Sequence, residues 1–518
     1  MPAFAKSVAL AALFFSSVAR GATFDLQTAT LADINAAMDA GALSSEKLVG
    51  LYLGRIAAYD QAGPHINAII TLNAKALETA RALDAERKTK GPRSPLHGVP
   101  IVLKDLFDTK DLPTSGGFLP LKASQPLHDA TVVARLRTAG AIILAKVNMS
   151  DWFGTPPRGD QSTVLGRTSN PYNLALTPGG SSGGTGASLA AGFAQLGLGS
   201  ETGVSIRNPT ANNSVVGLAP TRGLIPRTGQ IMTSFTQERC GPMARSVYDV
   251  AALTTVIAGF DAEDLLTISS PGMTPKEPYT AFLDKGGLRG ARIGVFRDLF
   301  RTGEIHVEGL ALVEKAIAQM KEAGAIIVDP ISTGLNLFAL LEDTRTNSYE
   351  GQFSYNLYFR RLGPNAVIRN MDELIEKGGA LVKPGIAKAY REFDSLMHHP
   401  DFLARRATQE TLKATLVELM DKYRLDAVVH PFKSVPPPPH LERGVDQDNN
   451  FSSITSLPAV LVPAGYIQKD NGPIAIEFLG RPWSEPTLFK VAYAYEQLSH
   501  NRKAPPTTPP LPGERFDY

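Results

Sequence analysis

Apolar positions along this chain keep two rhythms in alternation. Leu48, Leu51, Tyr52, Arg55 and Ile56 mark one face at the spacing of a helix that Ser44 opens. Thr30 with Asp33 forms a capping-box pattern that starts an earlier helix, and Gly41 ends it. Asn73 heads a third, largely surface helix over 74–88. Between such segments stand short runs that are apolar on both faces: 99–103, 141–145, 326–328, 427–429, 458–462 and 473–479. Their shortness and β-branched content predict strands buried on both sides. Residues 129–138 read as a helix leading into Ala-Gly-Ala-Ile-Ile, and Leu310, Val313, Ile317 and Met320 form a helix face before a second such passage. This alternation predicts an α/β fold with a sheet covered by helices on both faces.

Residues 261–290 lose periodicity and read as a long connection, while about 331–425 reads as a helical insertion. Ser484 opens a last amphipathic helix with Leu488, Val491, Ala492, Tyr495 and Leu498 as its stripe. The proline-rich end, 503–518, reads as a loosely ordered tail. The expected organisation is therefore a leader at 1–22, one sheet-centred body over 23–502 and the tail.

The leader rests on Lys6, the apolar run Ser7 to Phe15 and the small residues Ser17-Val18-Ala19, the layout of a secretory signal peptide. It predicts a secreted or periplasmic protein with no stable membrane span if the leader is cleaved; an uncleaved anchor is the alternative. The run is too short to span a bilayer stably, and no later stretch approaches the roughly 18 apolar residues of a spanning helix. Composition adds little: 43% apolar, 20% charged and a formal charge of +2 suit a globular protein and give no reason to invoke nucleic acid. Cys240, the single cysteine, cannot form an internal disulfide and reads as a buried small apolar residue. The nine histidines show no metal-binding spacing, and His398-His399 before Pro400 reads as a surface turn. Neither a metal nor a cofactor is implied.

The chemistry concentrates between Thr177 and Arg207, where two glycine-rich turns carry serines but no histidine, cysteine or aspartate. A phosphate loop is one reading, but the closing Gly-Lys-Ser/Thr is missing. A nucleophile elbow is another, since Gly179 to Gly183 matches G-x-S-x-G; Pro171 and Pro178, however, precede it where a strand is required. The third reading joins both turns: backbone N–H groups around Thr202 to Ser205 face one point, Ser205 attacks, Ser181 assists, and Lys104, closing a buried strand, is the available base. Against it, a lysine at a strand end usually extends to water.

Pro178 to Gly184 and Gly199 to Arg207 resemble the signature of the amidase signature family of serine hydrolases. Leu96 to Asp105, Val216 to Thr221, Gly241 to Arg245 and Pro458 to Glu485 resemble further family segments in the same order. The closing segment and the N-terminal helices look most similar to the bacterial peptide-amidase branch. The resemblance implies an α/β amidase-signature fold around a mixed, mostly parallel sheet. It also implies a Ser–Ser–Lys triad of Lys104 as base, Ser181 as bridging serine after a cis Gly180–Ser181 peptide, and Ser205 as nucleophile. Thr202, Gly203 and Val204, with Ser205, would supply the oxyanion N–H groups, and Ser182 would support the network. Val204 stands where relatives commonly carry glycine, which narrows the acyl side and disfavours positive φ. Ala219 replaces a common lysine.

The implied activity is hydrolysis of a small-molecule or peptide amide, either peptide C-terminal amides or aryl and short acyl amides, by a monomer or homodimer. Three alternatives follow from the same residues: an esterase using the same site, a catalytically weakened homologue that binds rather than turns over, and the amidase component of a tRNA-dependent amidotransferase. The leader and the absence of a basic patch argue against the last.

Overall fold

A computed structural model describes residues 21–154, 161–364, 366–392, 399–440, 442 and 449–518. Its centre is a sheet of eleven strands. Across the sheet the order is Ile326–Ile331, Arg292–Phe296, Ala427–Pro431, Gly472–Leu479, Ala459–Ile467, Val216–Ala219, Arg239–Ala244, Leu196–Glu201, Pro100–Lys104, Ile142–Val147 and Ile69–Leu72. Every residue of Pro100–Lys104, Ile142–Val147 and Leu196–Glu201 is buried. Consecutive side chains point to opposite faces, so both faces of the sheet are covered there.

The α/β architecture and the mixed sheet match the expectation, but the sheet is less parallel than expected. Parallel pairing joins Pro100–Lys104 to both its neighbours and Arg292–Phe296 to both of its own. The pairings from Ala427–Pro431 through to Leu196–Glu201, and at the Ile69–Leu72 edge, are antiparallel. The reason is local: Asn471, at φ 50°, lets Ala459–Ile467 turn directly into Gly472–Leu479, and a direct hairpin cannot join parallel strands. Both strands are covered on two faces, so their apolar runs look the same as parallel ones.

The two Ala-Gly-Ala-Ile-Ile passages meet different fates. Ile142 is fully buried inside the sheet, whereas Ile326 begins the edge strand and is 46% exposed. Leu498, assigned to the stripe of the last helix (Glu485–Ser499), is exposed as well. His398 lies outside the described residues. His399 does not stand in a simple turn: its ring accepts from Asp401 N–H and caps the helix Pro400–Lys422. The capping box of Thr30 and Asp33 forms as expected at the head of Leu31–Asp39.

Residues 503–518 are not a loose tail. Arg515–Asp517 pairs antiparallel with Thr23–Asp25. Glu514 meets Arg55 at 2.9 Å with both side chains buried, and Arg55 also donates to the Ala191 and Thr508 carbonyls. A charged residue on the apolar stripe of Ser45–Tyr59 is thus the anchor of the C-terminus. Between Ile326–Ile331 and Ala427–Pro431 lie helices Leu337–Asp343, Asn347–Arg361, Met371–Gly378, Pro384–Glu392 and Pro400–Lys422. The leader expectation falls on 1–22, of which 1–20 lie outside the described residues.

Candidate active site

Lys104 ends the strand Pro100–Lys104, which lies between two parallel neighbours, so its side chain emerges at the carboxyl edge of a parallel block. Ligand sites of α/β sheets occupy this edge. The ammonium does not reach water. Lys104 is fully buried, with Nζ 2.6 Å from Ser181 Oγ, 3.0 Å from Ser200 Oγ and 3.3 Å from the Ser200 carbonyl. Nζ also lies 5.1 Å from the Trp152 ring centroid. Burial pulls the Lys104 pKa down to about 7, against the opposing pull of Glu238 and Glu201.

Ser181 follows the cis Gly180–Ser181 peptide and stands just before the helix Gly183–Ala190. Its carbonyl accepts from Ser150 N–H at 3.0 Å. Gly184 is required by close approach: a Cβ there would sit 2.3 Å from the Asn148 carbonyl oxygen. Ser182 ties the two turns together. Its N–H donates to the Ser205 carbonyl at 3.2 Å, its hydroxyl donates to the Ser200 carbonyl at 3.1 Å, and Ser200 N–H donates back at 3.2 Å.

The second turn runs from the end of Leu196–Glu201 into the short helix Arg207–Asn212. Glu201 folds it. This buried carboxylate accepts from the Ile206 and Arg207 N–H groups, both at 3.1 Å, and pairs with Arg207 at 3.0 Å and Arg239 at 2.6 Å. Burial would raise its pKa, but the two guanidiniums outweigh that and hold it below the usual carboxylate range. Among the described residues, no protein acceptor takes the N–H groups of Gly203, Val204 or Ser205. Thr202, Gly203, Val204 and Ser205 all line one wall of a cavity of about 510 Å³. Consecutive N–H groups left unpaired at a cavity wall are the kind of arrangement that can bind an anion.

Val204 does not take positive φ, so valine is compatible with the turn. Its side chain packs against the cluster of Ala211, Phe432, Leu461 and Ala475. Gly203 is the position with no room, since a Cβ would lie 2.7 Å from Asn450 Oδ1.

Glu238 carries no signature in the sequence. It is fully buried, accepting from the Thr202 hydroxyl and from Gln230 Nε2 at 3.1 Å. Burial pushes its pKa up, with Thr202 and Lys104 opposing. An acid one residue before the buried Arg239–Ala244 strand has no distinctive spacing that would have found it. Trp152, Tyr355 and Tyr390 add aromatic surface to the cavity, and their scattered positions form no pattern either. Cys240 is buried with its thiol pushed up by desolvation, as an apolar filler should be.

A wider surface groove of about 900 Å³ runs along the helix Thr131–Thr138. Its arginines are engaged by Glu86, by the carbonyls of 257–260 and by Glu263, and it offers no base beside a nucleophile. Among the described residues no cluster of three His, Cys, Asp or Glu side chains could hold a metal ion, and no helix is long and apolar enough to cross a membrane.

A large mixed sheet carrying a buried lysine–serine pair beside a turn with unpaired N–H groups defines an α/β enzyme with groups suited to acyl transfer. The amidase family model matches residues 47–489, and the chain belongs to that family. It is a hydrolase of amide C–N bonds. The native peptide amidase of Stenotrophomonas maltophilia is 36% identical with a TM-score of 0.85, over 92% of this chain and 98% of that one. A protein of Arabidopsis thaliana named "Probable amidase" is 32% identical over 95% of this chain and 94% of its own. A glutamyl-tRNA(Gln) amidotransferase subunit from Symbiobacterium thermophilum is 34% identical over 92% of this chain and 98% of its own length.

Proposed function

We propose that the chain is an exported amidase that hydrolyses carboxylic amides through an acyl-enzyme on Ser205, with Lys104 as base and Ser181 as proton relay. The observation that carries this reading is the 2.6 Å contact between Lys104 Nζ and Ser181 Oγ in a fully buried setting. A free lysine near pKa 10.4 is neutral in only about one molecule in 10^3.4 at pH 7. With its pKa near 7, Lys104 is neutral in about half. As Ser205 Oγ attacks the amide carbon, its proton passes to Ser181 while the Ser181 proton passes to Lys104. The carbonyl oxygen gains the negative charge and faces the N–H groups of Gly203, Val204 and Ser205, with Thr202 holding the turn through Glu238. Collapse breaks the C–N bond, the proton returns through Ser181 to the leaving nitrogen, and amine or ammonia departs. Water then repeats the path against the ester.

Val204 keeps an ordinary φ and packs against Ala211, Phe432, Leu461 and Ala475, so the valine is compatible with an intact turn, which supports turnover rather than mere binding. Peptide C-terminal amides and aryl or short acyl amides are the substrate classes this reading covers. Its likeness to the peptide amidase supports the former.

Labelling with a fluorophosphonate probe tests the nucleophile. Wild type should label and Ser205→Ala should not; labelling that survives the substitution overturns the assignment. N-terminal sequencing of protein recovered outside the cytoplasm tests export, which predicts a new start near residue 23.

A second reading, the amidase component of a tRNA-dependent amidotransferase, is favoured by the 34% identity to one such protein. Ammonia or amine release by the chain alone separates the two: an amidase needs no partner, and a chain inert until a partner is added supports the second reading.

A further inference from the structure

The cavity beside the turn that carries Ser205 has an uneven charge. Its described lining residues include no aspartate, glutamate or histidine, yet they include two cations, Arg345 and Lys383. Lys383 is partly spent: its ammonium donates to the Asp151 carbonyl, and burial lowers its pKa against the pull of Asp151. Arg345 is different. Its Nη2 lies 3.8 Å from the place a Gly203 Cβ would occupy, which puts the guanidinium against that turn. Among the described residues its side chain makes no ion pair and no hydrogen bond; only its carbonyl is used, by Arg405 Nη1 at 3.0 Å.

Nor is Arg345 a loosely placed surface arginine. The next residue, Thr346, is bound twice by the Gln237 side-chain oxygen, through N–H at 2.7 Å and hydroxyl at 2.5 Å. The Gln237 amide in turn donates to the Thr202 carbonyl at 3.2 Å. One side chain thus fixes the backbone beside Arg345 to the turn that carries Ser205. Glu350, the buried acid one turn on, is consumed by Thr236 and does not neutralise it.

We infer that the cavity selects amides bearing a carboxylate, and that Arg345 is the residue that binds it. The inference rests on the amidase reading above and narrows its substrate class. A guanidinium presents paired N–H donors that match the two oxygens of a carboxylate, and it stays charged at any working pH. Trp152, Tyr355, Tyr390, Met371 and Ile386 give the substrate's body an aromatic and apolar bed, and about 510 Å³ accommodates a small ligand. A cationic substrate meets no acid there and is disfavoured.

The test uses anilides whose acyl chain ends in a carboxylate or in the corresponding methyl ester, together with N-acyl amino acids and their methyl esters. The first pair places the carboxylate on the acyl side and the second on the leaving side. In wild type, kcat/KM should favour the carboxylate over its ester by tenfold or more in one of the two pairs, mainly through KM and less at high salt. Arg345→Ala should bring that ratio to about one, and Arg345→Lys should restore part of it. Equal use of carboxylate and ester by wild type, or an unchanged ratio in Arg345→Ala, overturns the inference.

Binding separates this inference from the catalytic reading. Calorimetry with the Ser205→Ala protein should show tighter binding of the carboxylate compound, with Arg345→Ala in that background erasing the difference. Selective binding without turnover in wild type would refute the amidase reading and leave the anion subsite standing; turnover without selective binding would do the reverse.

Discussion

Replacing Glu238 with glutamine should move the pH dependence of acylation toward acid. Lys104 and Glu238 are both fully buried, and Glu238 exerts the strongest of the opposing pulls that keep the proton on Lys104. An opposite charge close to a titrating group shifts its pKa by roughly 1–3 units. Burial raises the Glu238 pKa and so works against its ionised form, which puts the expected effect at the low end, about 1 unit. The sign follows from charge. A negative neighbour favours the ammonium, so removing it makes Lys104 easier to deprotonate and lowers a pKa now near 7. The acid limb of kcat/KM between pH 5 and 9 reports this group in the free enzyme. Glutamine can still contact Thr202, and any disturbance of that turn lowers the plateau without moving the limb. An acid limb that stays in place, or moves up, refutes the link from Glu238 to the base.

Three further outcomes are expected. Lys104→Met should abolish labelling yet stabilise the fold. The native pKa is depressed from 10.5 to about 7, so the unfolded chain binds the extra proton between those values, and wild-type stability rises with pH across that window. The full linkage is about 5 kcal/mol below pH 7; lost bonds to Ser181 and Ser200 reduce the net gain to about 1–3 kcal/mol. Urea melts should show the variant's advantage shrinking from pH 7 to pH 9.5, and a constant gap refutes the argument. Glu514→Ala leaves Arg55 charged and buried without its carboxylate, which should cost about 3–5 kcal/mol in the same assay, whereas a loose tail predicts no change. Val204→Gly loses the contact with Phe432 and Leu461 and should cost about 1–2 kcal/mol, with kcat/KM for a short acyl amide changed by less than about threefold; a rise of orders of magnitude would show that valine obstructs the site.

The parts of this protein that were legible in its sequence are those in which a local rule is sufficient. The capping box at Thr30, the stripe before Ile56 and the buried runs at 99–103 and 141–145 each follow from spacing alone. Lys104 was legible only as the base still available once the two serine turns were read together, and through the family resemblance, since a lysine closing a strand usually extends to water. Strand direction was not legible: a run buried on both faces carries no mark of its neighbour's polarity, and a short turn ending at Asn471 decided between hairpin and crossover. Arg55 shows the same limit from the other side. Its place on an apolar stripe was visible, but its partner stands 459 residues away in a segment whose prolines suggested disorder.

Three of the residues missed at the site, Glu201, Glu238 and Gln237, share one physical trait: each acts through another side chain or through the backbone. Glu201 shapes the turn through backbone N–H groups, Glu238 holds it through the Thr202 hydroxyl, and Gln237 holds Arg345 through Thr346. No fixed spacing announces such residues, because their function depends on where Leu196–Glu201 and Arg239–Ala244 pair, not on their distance along the chain. That antiparallel pairing sets Ser200 opposite Cys240 and Glu201 opposite Arg239, so one register decides which acid is neutralised by arginine and which is left facing the lysine. Shifting it by one residue would turn every side chain of the strand to the other face. The proton affinity of Lys104 is therefore a property of the sheet register as much as of the lysine.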